Sequence, residues 1–223
     1  MMNRVLNLLC PGLLALCLEA QAVTVSWVDW TSANTSSATG TMTFGSTTVT
    51  VNYSGQLIGS QTSGGTNYWS PATAYLQGEV TNAPPTPDIL QMSTAVSRSL
   101  TFSRPVTDLY FAYVSLNGNG FVFSQDFTIV SQGTGYWGTG TATKSSPSAG
   151  QFALTGTSGE PHGLIKFTGT FSSLSWTSNS NENWYGFTVA AAVPEPSSAS
   201  LLVAGTIGLL ALSRRRKKTD KVA

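Results

Sequence analysis

One histidine, seven carboxylates and three adjacent ring pairs set in Gly/Ser/Asn-rich stretches are what residues 23–193 of this 223-residue chain offer for chemistry. His162 sits in Glu160-Pro161-His162-Gly163, which reads as a loop between strands. A lone imidazole excludes a multi-histidine metal site, and no Gly-x-Ser-x-Gly elbow accompanies it to build a serine nucleophile. An ordinary loop residue is the expectation. Two carboxylates suffice for glycoside hydrolysis, and Glu79, Asp88, Asp108, Asp126, Glu160 and Glu182 are available. No two of them alternate along one strand as a catalytic pair would, so solvated turns and strand ends are expected, with no catalytic residue. Loop Asp and carbonyl oxygens would suit calcium, but the spaced Asp-x-Asp-x-Asp-Gly loop is missing. The expectation is no metal and no cofactor.

The ring pairs are Tyr68-Trp69, Tyr136-Trp137 and Trp184-Tyr185. In a strand of period two, one ring of each pair must face outward. Outward rings beside Asn and Ser are what a sugar-binding face uses, stacking on apolar C–H patches while polar neighbours take the hydroxyls. Trp69, Trp137, Trp184 and Tyr185 are the candidate sugar-binding residues; core packing and edge covering is the plainer expectation for the same rings.

Composition narrows the class. Only 9% of residues are charged, against about 25% in an ordinary soluble domain, and Ser, Thr, Gly and Asn fill the deficit. The basic residues crowd into the end of the chain, at Arg214, Arg215, Arg216, Lys217, Lys218 and Lys221. Between Val23 and Val193 four cations face seven acids, a balance of −3. A weakly acidic domain has no electrostatic footprint for nucleic acid, which is set aside as a partner. The two cysteines, Cys10 and Cys17, both precede Val23, so the remaining chain has no thiol for a disulfide, a zinc site or a nucleophile.

Both ends read as addresses. Arg4, an apolar run from Val5 to Leu18 and the Ala20-Gln21-Ala22 pattern have the layout of a secretory signal peptide cleaved before Val23. At the other end Val193-Pro194-Glu195-Pro196-Ser197-Ser198 is stiff and extended, because each proline fixes φ and biases its predecessor away from helix. The apolar run from Ala199 to Leu212 follows, then Ser213 and the basic cluster Arg214–Lys218. Fourteen helical residues reach roughly 21 Å, short of a ~30 Å hydrocarbon core, with snorkelling arginines making up part of the gap. The basic end stays cytoplasmic by the positive-inside rule.

A Pro-Glu-Pro motif, one apolar span and an arginine-rich end, in that order, resemble the PEP-CTERM sorting signal of Gram-negative bacteria that make exopolysaccharide. The resemblance maps the motif to Pro194, Glu195 and Pro196. It implies recognition by a membrane-embedded exosortase, cleavage near the motif, transient attachment to the inner membrane, and final residence at the cell surface or outside the cell.

The elements between the ends read as strands: Val23–Val28, Thr47–Tyr53, Ser99–Phe102, Asp108–Leu116, Phe121–Phe123, Phe127–Val130, Gln151–Thr155, Leu164–Thr168, Ser173–Thr177 and Trp184–Val189. Asn117-Gly118-Asn119-Gly120 suits a tight hairpin turn, and the proline-rich 83–88 stretch joins sheets or covers an edge. The core should hold Trp27, Phe102, Phe111, Phe123, Phe127, Phe167, Trp176 and Phe187. The expected architecture is all-β: one β-sandwich, jelly-roll-like, over 23–192. It is flanked by a signal peptide (1–22) and a sorting tail (193–223), divided into motif (193–198), transmembrane helix (199–213) and basic end (214–223). The expected function is a non-enzymatic surface or matrix protein of the exopolysaccharide or biofilm layer. A carbohydrate-binding module using the ring pairs is the alternative, and a secreted glycosidase a third reading.

Overall fold

A computed structural model describes residues 23–76 and 79–193. The leader (1–22), the Pro-Glu-Pro motif, the apolar span and the basic cluster lie outside the described residues.

The chain opens with five strands, β1 (Val25–Trp27), β2 (Asp29–Ala33), β3 (Ser37–Phe44), β4 (Thr47–Ser54) and β5 (Gly59–Gln61). A four-residue helix, α1 (Thr73–Leu76), precedes β6 (Ile89–Met92) and the long β7 (Ser97–Val114). Then come β8 (Gly120–Phe123), β9 (Thr128–Gly133), β10 (Gly140–Ser145), β11 (Phe152–Gly159), the long β12 (His162–Ser178) and β13 (Tyr185–Ala192). Hydrogen bonds join the thirteen strands of the described residues into one network. The fold is all-β and antiparallel, as the Thr-rich, charge-poor alternation predicts. In β4, for example, Val49, Val51 and Tyr53 turn inward while Thr48 and Asn52 stay outside.

β7 and β12 organise the network, and each corresponds to two of the strands expected from sequence. Ser99–Phe102 and all but the last two residues of Asp108–Leu116 lie on β7; Leu164–Thr168 and Ser173–Thr177 lie on β12. The alternation lapses at Ser103-Arg104-Pro105, yet the backbone stays extended. The ladder between the two strands shifts register after Phe167 and after Phe171. Asp108 takes a φ of 49° beside the shift, and Gly169 one of 126°. Bulges of this kind bend a strand without ending it. The bend divides the network into two arms. In one, the second half of β7 pairs with β13 and the first half of β12 with β9. In the other, the first half of β7 pairs with β4 and the end of β12 with β8.

The larger core cluster joins the arms. Phe111 lies flat on Phe187 at 4.9 Å between ring centres and meets Trp176 edge-on at 5.4 Å. All eight expected core aromatics are buried, seven of them in this cluster. Trp27 belongs to a second cluster with Trp69, Tyr75, Val80, Ile89 and Tyr110. β13 feeds both clusters, Phe187 and Val189 into the first and Ala190 into the second, which is why it lacks a polar face.

Two local expectations change. Gly118 does take a turn conformation, φ 62°, but the Asn-Gly-Asn-Gly segment joins strands that do not pair with each other. β8 instead bonds to β11 and β12. The proline-rich segment ends at Asp88, whose buried carboxylate accepts the Trp30 N–H at 2.8 Å and ties β2 to the entrance of β6. Burial pushes that carboxyl up to about 6, against the hydrogen bond from Trp30.

Candidate functional site

The three ring pairs part company. Trp69 is 1% exposed and stands edge-on to Tyr75 at 5.2 Å, inside the second cluster. Tyr185 is fully buried; its hydroxyl donates to Thr94 O at 3.0 Å, and the Arg98 guanidinium lies 5.8 Å above its ring. Neither ring can face a ligand, which corrects two of the four candidate sugar-binding positions. The physical reason is that each side chain points into the core, Tyr185 into the larger cluster and Trp69 into the second. Trp137 and Trp184 do reach the surface, joined by Tyr68 and Tyr136. Tyr68 sits beside Trp184 at 4.9 Å, beside Tyr136 at 5.0 Å, and stacks on Trp137 at 6.5 Å and 29°. Tyr136 and Trp137 meet edge-on at 5.0 Å, and Trp137 and Trp184 at 6.2 Å.

Local geometry explains why both rings of the middle pair emerge. Gly135 and Gly138 exchange backbone hydrogen bonds, Gly135 N–H to Gly138 O at 2.8 Å and the reverse at 3.2 Å. Tyr136 and Trp137 are therefore the two central residues of a tight turn, where neither side chain can point back into a sheet. Their exposures are 44% and 53%. Alternation along a strand would have hidden one of them. The flanking Thr134 and Thr139 hydroxyls bond at 2.7 Å and close the turn's neck.

The floor of that turn is His162. Any Cβ on Gly135 would collide with its imidazole, so glycine lets the turn lie flat on the ring. His162 is the first residue of β12 and fully buried, which corrects its expected place in a loop between strands. Its ring nitrogens have no hydrogen-bond partner among the described residues. Burial pushes the imidazole down to about 4, although the charge of Glu160 pulls the other way. The ring is a neutral packing element under the platform at ordinary pH.

Polar groups border the rings. Trp184 donates its Nε1 hydrogen to Gln91 Oε1 at 3.1 Å. Asn67 accepts the Trp69 N–H at 3.1 Å, turning the chain so that Tyr68 faces out while Trp69 faces in. Four rings from three distant segments thus make one partly exposed apolar surface with phenol hydroxyls and amides at its margin.

The acids go elsewhere. Glu79 and Asp108 both pair with Lys166. Burial pulls that ammonium down, but hydrogen bonds to Glu79, Asp108 and Tyr110 outweigh it and the net shift is upward. Asp126 pairs with Lys144 at the surface, which holds its carboxyl below the usual range. Glu160 accepts from Ser115 and Asn117. Glu182 is pushed up to about 8, by burial first and with a contribution from the negative charge of Glu160. Both Glu182 oxygens are buried without a hydrogen-bond partner among the described residues.

Residues 192–217 match the PEP-CTERM protein-sorting motif, covering Pro194-Glu195-Pro196, the apolar span and Arg214–Lys217. The match begins on the last residue of β13. No curated protein and no solved structure matches the chain. The motif marks an exported protein targeted to an exosortase through a membrane-associated sorting step.

Proposed function

We propose that this exosortase-targeted protein is a non-enzymatic component of the extracellular polysaccharide layer, whose domain holds polysaccharide on the Tyr68–Tyr136–Trp137–Trp184 platform. In this reading the signal peptide (1–22) is removed on export, the tail (193–223) anchors the chain briefly, and the domain (23–192) remains at the cell surface or in the matrix. The domain is read as a single β-sandwich. Support comes from rings of one arm meeting rings of the other, and from a core cluster that draws on both ends of β7 and β12.

The observation that carries the binding reading is the convergence of four partly exposed rings from three segments. Soluble domains seldom leave such a surface open without a use. The negative face of an aromatic ring attracts the polarised axial C–H bonds of a pyranose, and neighbouring amides and phenols can take its hydroxyls. The acidic balance of the domain disfavours nucleic acid, which would also stack on rings.

Affinity electrophoresis through gels containing the producing cell's exopolysaccharide, beside neutral glucans, tests this. Retardation should fall by about ten-fold or more when Tyr136 and Trp137 are both Ala, taking ~1–3 kcal/mol per stacked ring. Circular dichroism should remain unchanged. Equal retardation of the parent and a four-alanine variant would reject binding by the platform. Release of reducing sugar that disappears in Glu160→Gln or Glu182→Gln would replace the non-enzymatic reading with hydrolysis.

A further inference from the structure

The end of the folded domain has its own surface feature. A groove of about 560 Å³ lies where the β3–β4 turn, the bend of β7 and the end of β13 come together. Its walls are apolar, formed by Phe44, Val49, Pro105 and Val106, with Arg104 at the rim and Val193 at the mouth. Volumes of this order accommodate a short segment of chain or a small ligand. Arg104 is exposed and has no ion pair among the described residues.

Val193 is held there by its own N–H, which donates to Thr24 O at 3.2 Å, while Ala192 pairs with Val25 in the β1–β13 ladder. The next three residues are Pro194, Glu195 and Pro196. No linker separates the motif from the fold. Two further residues of extended chain span at most about 7 Å, so Glu195 begins within reach of the groove's rim. The chemistry of the three residues complements the walls. Proline carries no N–H, so an apolar groove leaves no proline donor unsatisfied, and an apolar ring suits walls made by Phe44 and Pro105. The one charge in the tripeptide is negative, and among the described residues the one cation lining the groove is Arg104.

We infer that this groove is the docking site of the chain's own Pro194-Glu195-Pro196 segment, with Glu195 paired to Arg104. The exosortase then meets the motif against a folded surface, and the domain takes part in presenting it.

Disulfide trapping in the full-length chain tests the inference. Serine replaces Cys10 and Cys17, and cysteines are introduced as Thr107→Cys at the groove and Ser197→Cys beyond the motif. The protein is oxidised in native membranes. Intramolecular cross-linking should slow by about five-fold with Arg104→Glu or Glu195→Lys, the scale of an exposed ion pair, and recover when both charges are reversed. A rate indifferent to either reversal would mean that the short tether alone brings the cysteines together, and would overturn the docking. Cross-links that form between chains and scale with concentration would overturn it in favour of a second copy in the groove. Arg104 is exposed, so the thermal midpoint of the unoxidised variants serves as the check that the fold persists.

Discussion

Two aromatic clusters in this molecule are packed at the same spacing and differ in what covers them. Inside, Phe111, Phe123, Trp176 and Phe187 sit with ring centres about 5–6 Å apart between the two arms. Outside, Tyr68, Tyr136, Trp137 and Trp184 keep similar separations at the surface. The inner rings come from strand positions, where alternation turns every second side chain into the core. The outer rings come from a turn, a loop and a strand entrance, where alternation does not apply. Chemistry differs accordingly. The inner set is three-quarters Phe, with no polar tip to satisfy, whereas every outer ring carries a hydroxyl or an indole N–H that suits a surface half in water. Ring packing alone therefore distinguishes neither core from site; placement on the backbone does.

The largest expected break in this comparison is inside. Phe111→Ala should cost about 3–5 kcal/mol of folding stability, read by urea denaturation, because the cavity opens among four rings that cannot all collapse into it. A loss below 1 kcal/mol would mean the arms are not joined through Phe111.

The second lies beneath the platform and depends on pH. His162 is held near 4 in the fold, below its ordinary value of 6.5. The unfolded chain therefore binds the proton more readily, and stability contributed by the neutral ring drains away as pH falls from 6.5 to 4. Asp88 and Glu182, raised to about 6 and about 8, act in the opposite sense and gain stability as pH falls through those values. Comparison of the parent with His162→Leu isolates the imidazole. Between pH 6.5 and 4 the variant should gain about 2–3 kcal/mol relative to the parent. Parallel pH profiles would show that the ring is not buried uncharged.

A third break couples floor to rings. Gly135→Ala forces a methyl group into the His162 ring, which should destabilise by about 1–3 kcal/mol and tilt the turn. Tryptophan emission from the platform should shift with it, and polysaccharide retention should fall. The smallest effect on the fold, and the sharpest contrast with Phe111, is Trp137→Ala. An exposed turn residue should change stability by no more than about 0.5 kcal/mol while weakening retention. A large loss of stability would make Trp137 a core residue in disguise.

Much of the fold was legible because alternation is a local signal. Val49, Val51 and Tyr53 announced β4, and the eight expected core aromatics are buried. The continuity of β7 and β12 was not legible. Ser103-Arg104-Pro105 interrupts the alternation, and only the partner strand shows that the ladder resumes beyond it. β2, β3, β5 and β10 were not legible because their Ser, Thr and Gly content resembles turn sequence. β6 was not legible because four residues directly after a proline-rich stretch are too short to show alternation. At the platform, Trp137 and Trp184 were legible as candidates, while Tyr68 and Tyr136 were named only as partners in their pairs. The Gly-Tyr-Trp-Gly string was the available signal, since glycines on both sides of two large residues allow a turn that displays them.

The address at the C-terminus was settled by sequence alone. A sorting motif consists of an order along the chain: prolines around an acid, an apolar stretch, then arginines. Each part is defined by its own composition and needs no partner far away. The all-β character was settled in the same way, by side chains that suit a pleated surface. Which rings share the platform was decided by tertiary structure. Residues 68, 136–137 and 184 meet because β12 and β13 bring a loop, a turn and a strand entrance to one place. Such meetings depend on register between strands distant in sequence, where one residue of slip would carry the attached turn, loop and strand entrance out of line with one another.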